Sequence, residues 1–388
     1  MDERPLAARR AATSRSWATR IGATLRRSWT LVVPLVAAVA LVVTWNRDLP
    51  IVAVAITGVV LIGAVLAAVH HAEVVAHRVG EPFGSLVLAV AVTVIEVALI
   101  ITLMVSGKGT ETLARDTAFA AVMITLNGIV GISLLLGGLR HNLPRFNPEG
   151  AGAALGVVVT LTTLTLVIPT FTVSEPGARF SGEQLVFVAI ASLVLYGAFV
   201  ATQTRGHRDF FLPVGFDGRT IREHPDEDGD GHADPPTTRA AVRSLVLLLV
   251  SLVAVVGLAK AVSPAIETGV EAAGIPNSFV GVVIALLVLL PEGLAASKAA
   301  LRNRMQTSLN LGLGSAMASI GLTIPAIAVA SIWLPGGLTL GLGPVQMVLF
   351  ALTVIVSMLT IIPGRATRLT GVVHLVLLLA FVFLAISP

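Results

Sequence analysis

"GEPFGSLVLAVAVTVIEVALIITLMVSG", residues 80–107, is an apolar run with one acid, Glu96, near its centre and another, Glu81, only at its edge. A membrane-spanning helix needs ~20 consecutive apolar residues, and this stretch supplies them. A charge at the middle of a bilayer costs roughly 2.5–3.5 kcal/mol on insertion scales, so an acid there points first to a functional site.

Composition fixes the class. With 55% hydrophobic residues, 12% charged residues and a mean hydropathy of +0.91, the 388 residues cannot be arranged as a soluble globule. Apolar segments recur at 29–46, 50–74, 83–106, 116–139, 150–170, 183–203, 241–262, 277–300, 308–334, 343–363 and 367–387. They predict an all-α polytopic membrane protein of about eleven transmembrane helices, the first of them short and carrying Pro34. The polar stretches mark a basic tail (1–28), a first transmembrane half (29–203), an acidic loop (204–240) and a second transmembrane half (241–388). There is no cysteine, which excludes disulfides.

Charge predicts orientation. Of the 26 Lys and Arg, 21 fall in the tail and in loops on its side, leaving Arg47, Lys108, Arg115, Arg179 and Lys260 on the other. Basic residues stay cytoplasmic in short loops, so the N-terminus and the 204–240 loop are expected inside. The sequence pI of about 10.3 then reports topology and calls for no nucleic-acid partner; the partners implied are the lipid bilayer and small ions. The tail carries seven Arg and no small-residue cleavage site, which reads as a cytoplasmic tail and not as a signal peptide.

The acid has a counterpart. In "NSFVGVVIALLVLLPEGLAASKAALRNR", residues 277–304, Glu292 again sits inside an apolar segment. Each acid is followed in the next helix by hydroxyl-Leu-Asn-x-x-x-Gly, "TLNGIVG" from Thr125 and "SLNLGLG" from Ser308, so residues 81–138 and 276–325 form an internal repeat. The period is five helices. An odd number makes the copies enter the membrane from opposite sides, which is the inverted-repeat plan of secondary transporters with sites near the midplane. Glu292 and Asn310 are 18 residues apart, a distance that brings a helix out and back to the same depth, so each Glu and its Asn are expected to meet.

Carboxylate, amide and hydroxyl oxygens form a hard-oxygen cage suited to Ca²⁺, Na⁺ or a proton. The expected ligands are Glu96, Glu292, Asn127, Asn310 and Thr93, the last one turn before Glu96. Thr125 and Ser308 add hydroxyls, although such groups often bond back to their own helix. Pro291 deprives the carbonyl of Leu287 of its usual donor, and Gly131 and Gly314 permit close helix approach. His70, His71, Glu73 and His77, at the cytoplasmic end of the second helix, suggest a proton path inward to Glu96. In the acidic loop Asp226, Asp228, Asp230 and Gly231 match the opening of an EF-hand, but its twelfth position is Thr237 instead of Glu, so a solvated loop is the reading.

"HHAEVVAHRVGEPFGSLVLAVAVTVIEVALI" followed by "LARDTAFAAVMITLNGIVGISLLLGGLRH" resembles the ChaA-type calcium/proton antiporters of the calcium/cation antiporter superfamily. The resemblance implies one N-terminal helix plus two inverted five-helix repeats, a central acid in each repeat at Glu96 and Glu292, and a bacterial inner-membrane location. It implies exchange of Ca²⁺, or of Na⁺ or K⁺, for protons, with no cofactor beyond the transported ions and no enzymatic reaction. Where hydroxyls precede both acids in better-known exchangers, Val288 and Leu289 stand here before Pro291 and Glu292. A cation channel and a membrane-embedded hydrolase with paired carboxylates are the alternatives, and the oligomeric state stays open.

Overall fold

The computed structural model describes residues 29–47, 49–80, 83–106, 111–212, 214, 236–333 and 337–388. Within them the chain is a bundle of helices: α1 (Trp29–Thr44), α2 (Ile51–Val79), α3 (Phe83–Ser106), α4 (Leu113–His141), α5 (Pro148–Thr170), α6 (Gly182–Gly206), α7 (Thr238–Ala272), α8 (Phe279–Leu301), α9 (Met305–Ala330), α10 (Pro344–Ile361) and α11 (Arg368–Ile386). All but α1 are long and apolar enough to cross a membrane. The predicted tail and most of the acidic loop, with Asp226, Asp228, Asp230 and Gly231, lie outside the described residues.

Local chemistry sets the ends. Asn147 accepts hydrogen bonds from the amides of Glu149 and Gly150 at the start of α5, where Pro148 takes the first helical position. Ser181 and Gln184 make a reciprocal capping box on α6. Gly80, with φ 74°, ends α2 in a conformation that side chains avoid. The principal departure from expectation is α7, which runs ten residues past the predicted limit through Pro264 into the polar stretch ending at Ala272.

The two halves correspond helix by helix, α2–α6 with α7–α11. Two pairs of backbone straps demonstrate the inversion. On the face where α1 begins, Phe146 donates to the carbonyl of Gly364 and Ala366 to that of Pro144, joining the α4–α5 link to the α10–α11 link. On the opposite face Gly341 donates to Ala178 and Leu342 to Leu166, joining the α9–α10 link to the end of α5 and the α5–α6 link. Glycines repeat the relation: Gly138 lies against Arg368 of α11, and Gly321, at the same step from its motif, against Tyr196 of α6.

Apolar side chains form two principal cores. One is built by α4, α5, α6, α9, α10 and α11, the other by α1, α2, α3 and α7. Helix α8 contributes Leu289 to the first and Val288 to the second, and α3, buried mainly in the second, presses Ala89 on the first. The two acid-bearing helices therefore stand along the seam between the cores.

Candidate functional site

Glu96 lies mid-way along α3 and is 2% exposed. One oxygen, Oε2, accepts two hydrogen bonds, from Ser319 Oγ and from Thr323 Oγ1, each 2.9 Å. Both donors belong to α9, which is interrupted at Leu322 between the segments Met305–Gly321 and Thr323–Ala330. Pro325 has no N–H to give the carbonyl of Gly321, which removes a rung of the ladder where the interruption falls. Thr93 is buried one turn earlier on α3.

Glu292 follows Pro291 inside a continuous α8. Its Oε2 is buried and has no hydrogen-bond partner among the described residues. The charges of Glu96 and Glu73 are both within electrostatic range of it. On the neighbouring residue Gly293, an added Cβ would stand 3.7 Å from Ile129 of α4, so the α4 motif packs beside this acid.

The motif hydroxyls Thr125 and Ser308 are buried, and neither finds a partner among the described residues. This departs from the expected back-bonding, which other threonines do adopt: Thr162 bonds the carbonyl of Val158 and Thr165 that of Leu161. Thr125 faces Gly312, where α4 meets α9. It lies in a π-helical stretch, Ile124–Ile129.

The motif amides are engaged elsewhere. Asn127 donates to Thr353 Oγ1 of α10 (3.0 Å) and its Oδ1 pairs with Nδ1 of His374 on α11 (3.2 Å). Asn310 donates to the carbonyl of Phe211 (2.7 Å) and accepts from Gln306 (2.9 Å), whose own Oε1 receives the amide of Asn147. No hydrogen bond joins either Asn to either acid among the described residues. The expected return to equal depth fails because residues 302–304 make the turn, leaving Glu292 nine residues from the end of α8 and Asn310 five from the start of α9. At 1.5 Å per residue that difference is roughly 6 Å along the helix.

The close-approach expectation divides likewise. Gly131 is pressed by His374 Cβ, 3.0 Å from where its own Cβ would stand, whereas Gly314 has open space around it. The reading of Gly314 as a contact glycine is corrected, and in the second half Gly321 meets Tyr196 instead.

At the end of α2, His70 Nδ1 is 4.0 Å from Glu73 Oε2, and His77 and Lys298 are within electrostatic range of Glu73. His71 Nε2 donates to the carbonyl of Thr30 (2.8 Å), anchoring α1. Glu73 is thus an acid whose charge reaches Glu292.

Sequence reasoning missed Ser319 and Thr323, whose spacing of four puts them on one face of an apolar helix, and His374, an ionisable residue inside a spanning segment. Among the described residues no three His, Asp or Glu side chains gather as a metal cluster, so an ion here would be held by the acids together with hydroxyl and carbonyl oxygens.

The profile of the family "Sodium/calcium exchanger protein" matches residues 49–205 and 243–387. The y4hA protein of Sinorhizobium fredii is 45% identical over 368 residues, covering 93% of this chain and 96% of its own. The sodium-potassium/proton antiporter ChaA of Escherichia coli is 35% identical over 365 residues, covering 92% and 96%. The solved structure of native YfkE superposes with a TM-score of 0.70 at 17% identity, covering 92% of this chain and all of that one. With ten helices fit to cross a bilayer, this is an integral membrane protein, and it belongs to the sodium/calcium exchanger protein family.

Proposed function

We propose that the chain is a secondary transporter that exchanges a hard cation, Ca²⁺ in the first place, for protons by alternating access. The observation that carries this is the contrast at the seam: Glu96 is compensated by two hydroxyls, while the buried Oε2 of Glu292 has no partner. A carboxylate out of water is strongly disfavoured unless a cation or a proton compensates it. Two such acids near each other can hold a divalent ion between them or take up protons, and exchange follows if the protein changes facing only when they are compensated.

The ligands proposed are Glu96, Glu292, Thr93 and Thr125, with Ser319 and Thr323 turning their lone pairs to the ion when it enters. Glu73, with His70 and His77, is the proposed proton route to Glu292. No cofactor beyond the transported ions is required. A monovalent substrate is the second reading, favoured by the sodium-potassium/proton antiporter of E. coli that this chain resembles along 92% of its length.

In everted vesicles, Ca²⁺ added to the wild type should dissipate a proton gradient, and Glu96→Gln or Glu292→Gln should each abolish this at normal membrane abundance. Wild-type exchange by either variant would refute the mechanism. Response to Na⁺ or K⁺ alone would select the second reading. The proposed location is a bacterial inner membrane with the N-terminus inside, so cysteines placed at Ala12 and Asp228 should resist an impermeant thiol reagent in intact cells; labelling of either would overturn that topology.

A further inference from the structure

We propose that His374, on α11, is a positioning residue for the cation site, acting through Asn127 on the π-helical stretch that presents Thr125. The inference rests on the exchange reading above. His374 is fully buried, and both ring nitrogens are engaged: Nδ1 with Asn127 Oδ1 (3.2 Å) and Nε2 with Thr360 Oγ1 (3.1 Å).

The donors have one consistent order. The amide N–H of Asn127 goes to Thr353, so its Oδ1 can only accept, and the ring hydrogen must be on Nδ1. Nε2 then accepts from the hydroxyl of Thr360. Residues of α4, α10 and α11 are thus joined in a chain where every hydrogen-bonding atom just named has a partner, deep in the first core. Ionisable groups such as His374 inside a spanning bundle are rare and usually functional, and a satisfied network rigidifies what it holds.

What it holds is the stretch Ile124–Ile129, the π-helical part of α4. Such bulges interrupt the regular ladder and recur at functional sites. Asn127 is its anchor. Two residues earlier in the same bulge, Thr125 faces the α9 crossing at Gly312 with its hydroxyl unbonded, and two residues later Ile129 packs beside Gly293, next to Glu292. Gly131, one turn on from Asn127, lets the backbone of α4 come down on His374. The network fixes the rotation of this stretch, and the rotation decides whether the Thr125 oxygen points to the seam.

The test is the cation dependence of exchange in vesicles, resolved into half-saturating concentration and maximal rate. His374→Phe keeps the ring volume and removes both hydrogen bonds. It should raise the half-saturating Ca²⁺ concentration about fivefold with a smaller effect on maximal rate. Asn127→Leu should do the same, and the double variant should be no worse than either alone, because both act through one chain of contacts. His374→Gln, which retains an N–H for Asn127, should recover most of the affinity. Unchanged half-saturation in His374→Phe, or additive effects of the two changes, overturns the proposal. Should His374→Phe fail to insert, Thr360→Val, which releases Nε2 alone, should still raise the half-saturating concentration about twofold, and an unchanged value overturns the proposal equally. If Glu96→Gln still exchanges, the transport reading itself falls; if Glu96→Gln is silent while His374→Phe keeps wild-type affinity, only the positioning role falls.

Discussion

Glu96 in the first half receives two hydroxyl hydrogen bonds from α9, whereas Glu292 in the second half receives none from α4 among the described residues. The difference is written in the motif helices. Ser319 and Thr323 stand eleven and fifteen residues after Ser308, and the same steps from Thr125 reach Leu136 and Arg140. The motif amides differ too: Asn127 is locked into a polar network at the heart of the bundle, while Asn310 ties α9 to Phe211 and, through Gln306, to the α4–α5 link. Inversion supplies two acids in equivalent places. What surrounds each acid has diverged, leaving one carboxylate bonded by neutral donors and the other with a buried oxygen that has no partner among the described residues.

The strongest way to break this comparison is to remove the bonded side. Ser319→Ala with Thr323→Val deletes two hydrogen bonds to one buried carboxylate oxygen, bonds of a kind worth about 1.5–3 kcal/mol each, and should weaken apparent cation affinity at least ~10-fold. Vesicle exchange against cation concentration measures it, and an unchanged affinity would place both hydroxyls outside the site. Next in size, Gly131→Leu should destabilise the folded protein by about 1–3 kcal/mol through overpacking against His374, read as a lower midpoint of thermal unfolding in detergent. Thr125→Ala removes an unbonded hydroxyl at the α4–α9 crossing and should reduce cation affinity about threefold at unchanged abundance, as expected for a single weak ligand. The smallest effect belongs to Gly314→Ala, which enters open space and should shift stability by less than about 0.5 kcal/mol. An effect of Gly314→Ala equal to that of Gly131→Ala would restore the symmetric view of the two motifs.

Much of the fold was legible because membrane crossing is a one-dimensional property: length and apolarity alone located the spanning helices among the described residues, and the acids Glu96 and Glu292 stood out against them. The repeat was legible because Thr-Leu-Asn and Ser-Leu-Asn survive in both copies. The same symmetry then concealed Ser319 and Thr323, since a search for matched positions discards hydroxyls opposite Leu136 and Arg140. Asn310 was misplaced in depth by a turn of three residues, which periodicity does not register. His374 was overlooked because its partners are brought to it by helix crossings far apart in the chain, at Asn127 and Thr360.

The three π-helical stretches, at Ile124–Ile129, Thr163–Val167 and Thr202–Gly206, all belong to the first half, and the described residues of the second half contain none. Were the halves identical, exchanging their conformations would turn the inward-facing protein into the outward-facing one at equal free energy, and an idle molecule would spend half its time on each side. Any structural difference between the halves, these π-helical stretches included, removes that degeneracy. A difference of only about 1.4 kcal/mol between the two facings is a tenfold preference, and a ligand reaching the disfavoured side binds with its affinity reduced by the fraction of molecules waiting there. If Glu96 and Glu292 hold the ion as proposed, such a preference would make the exchanger a rectifier, the same two acids offering unequal apparent affinities to the two compartments.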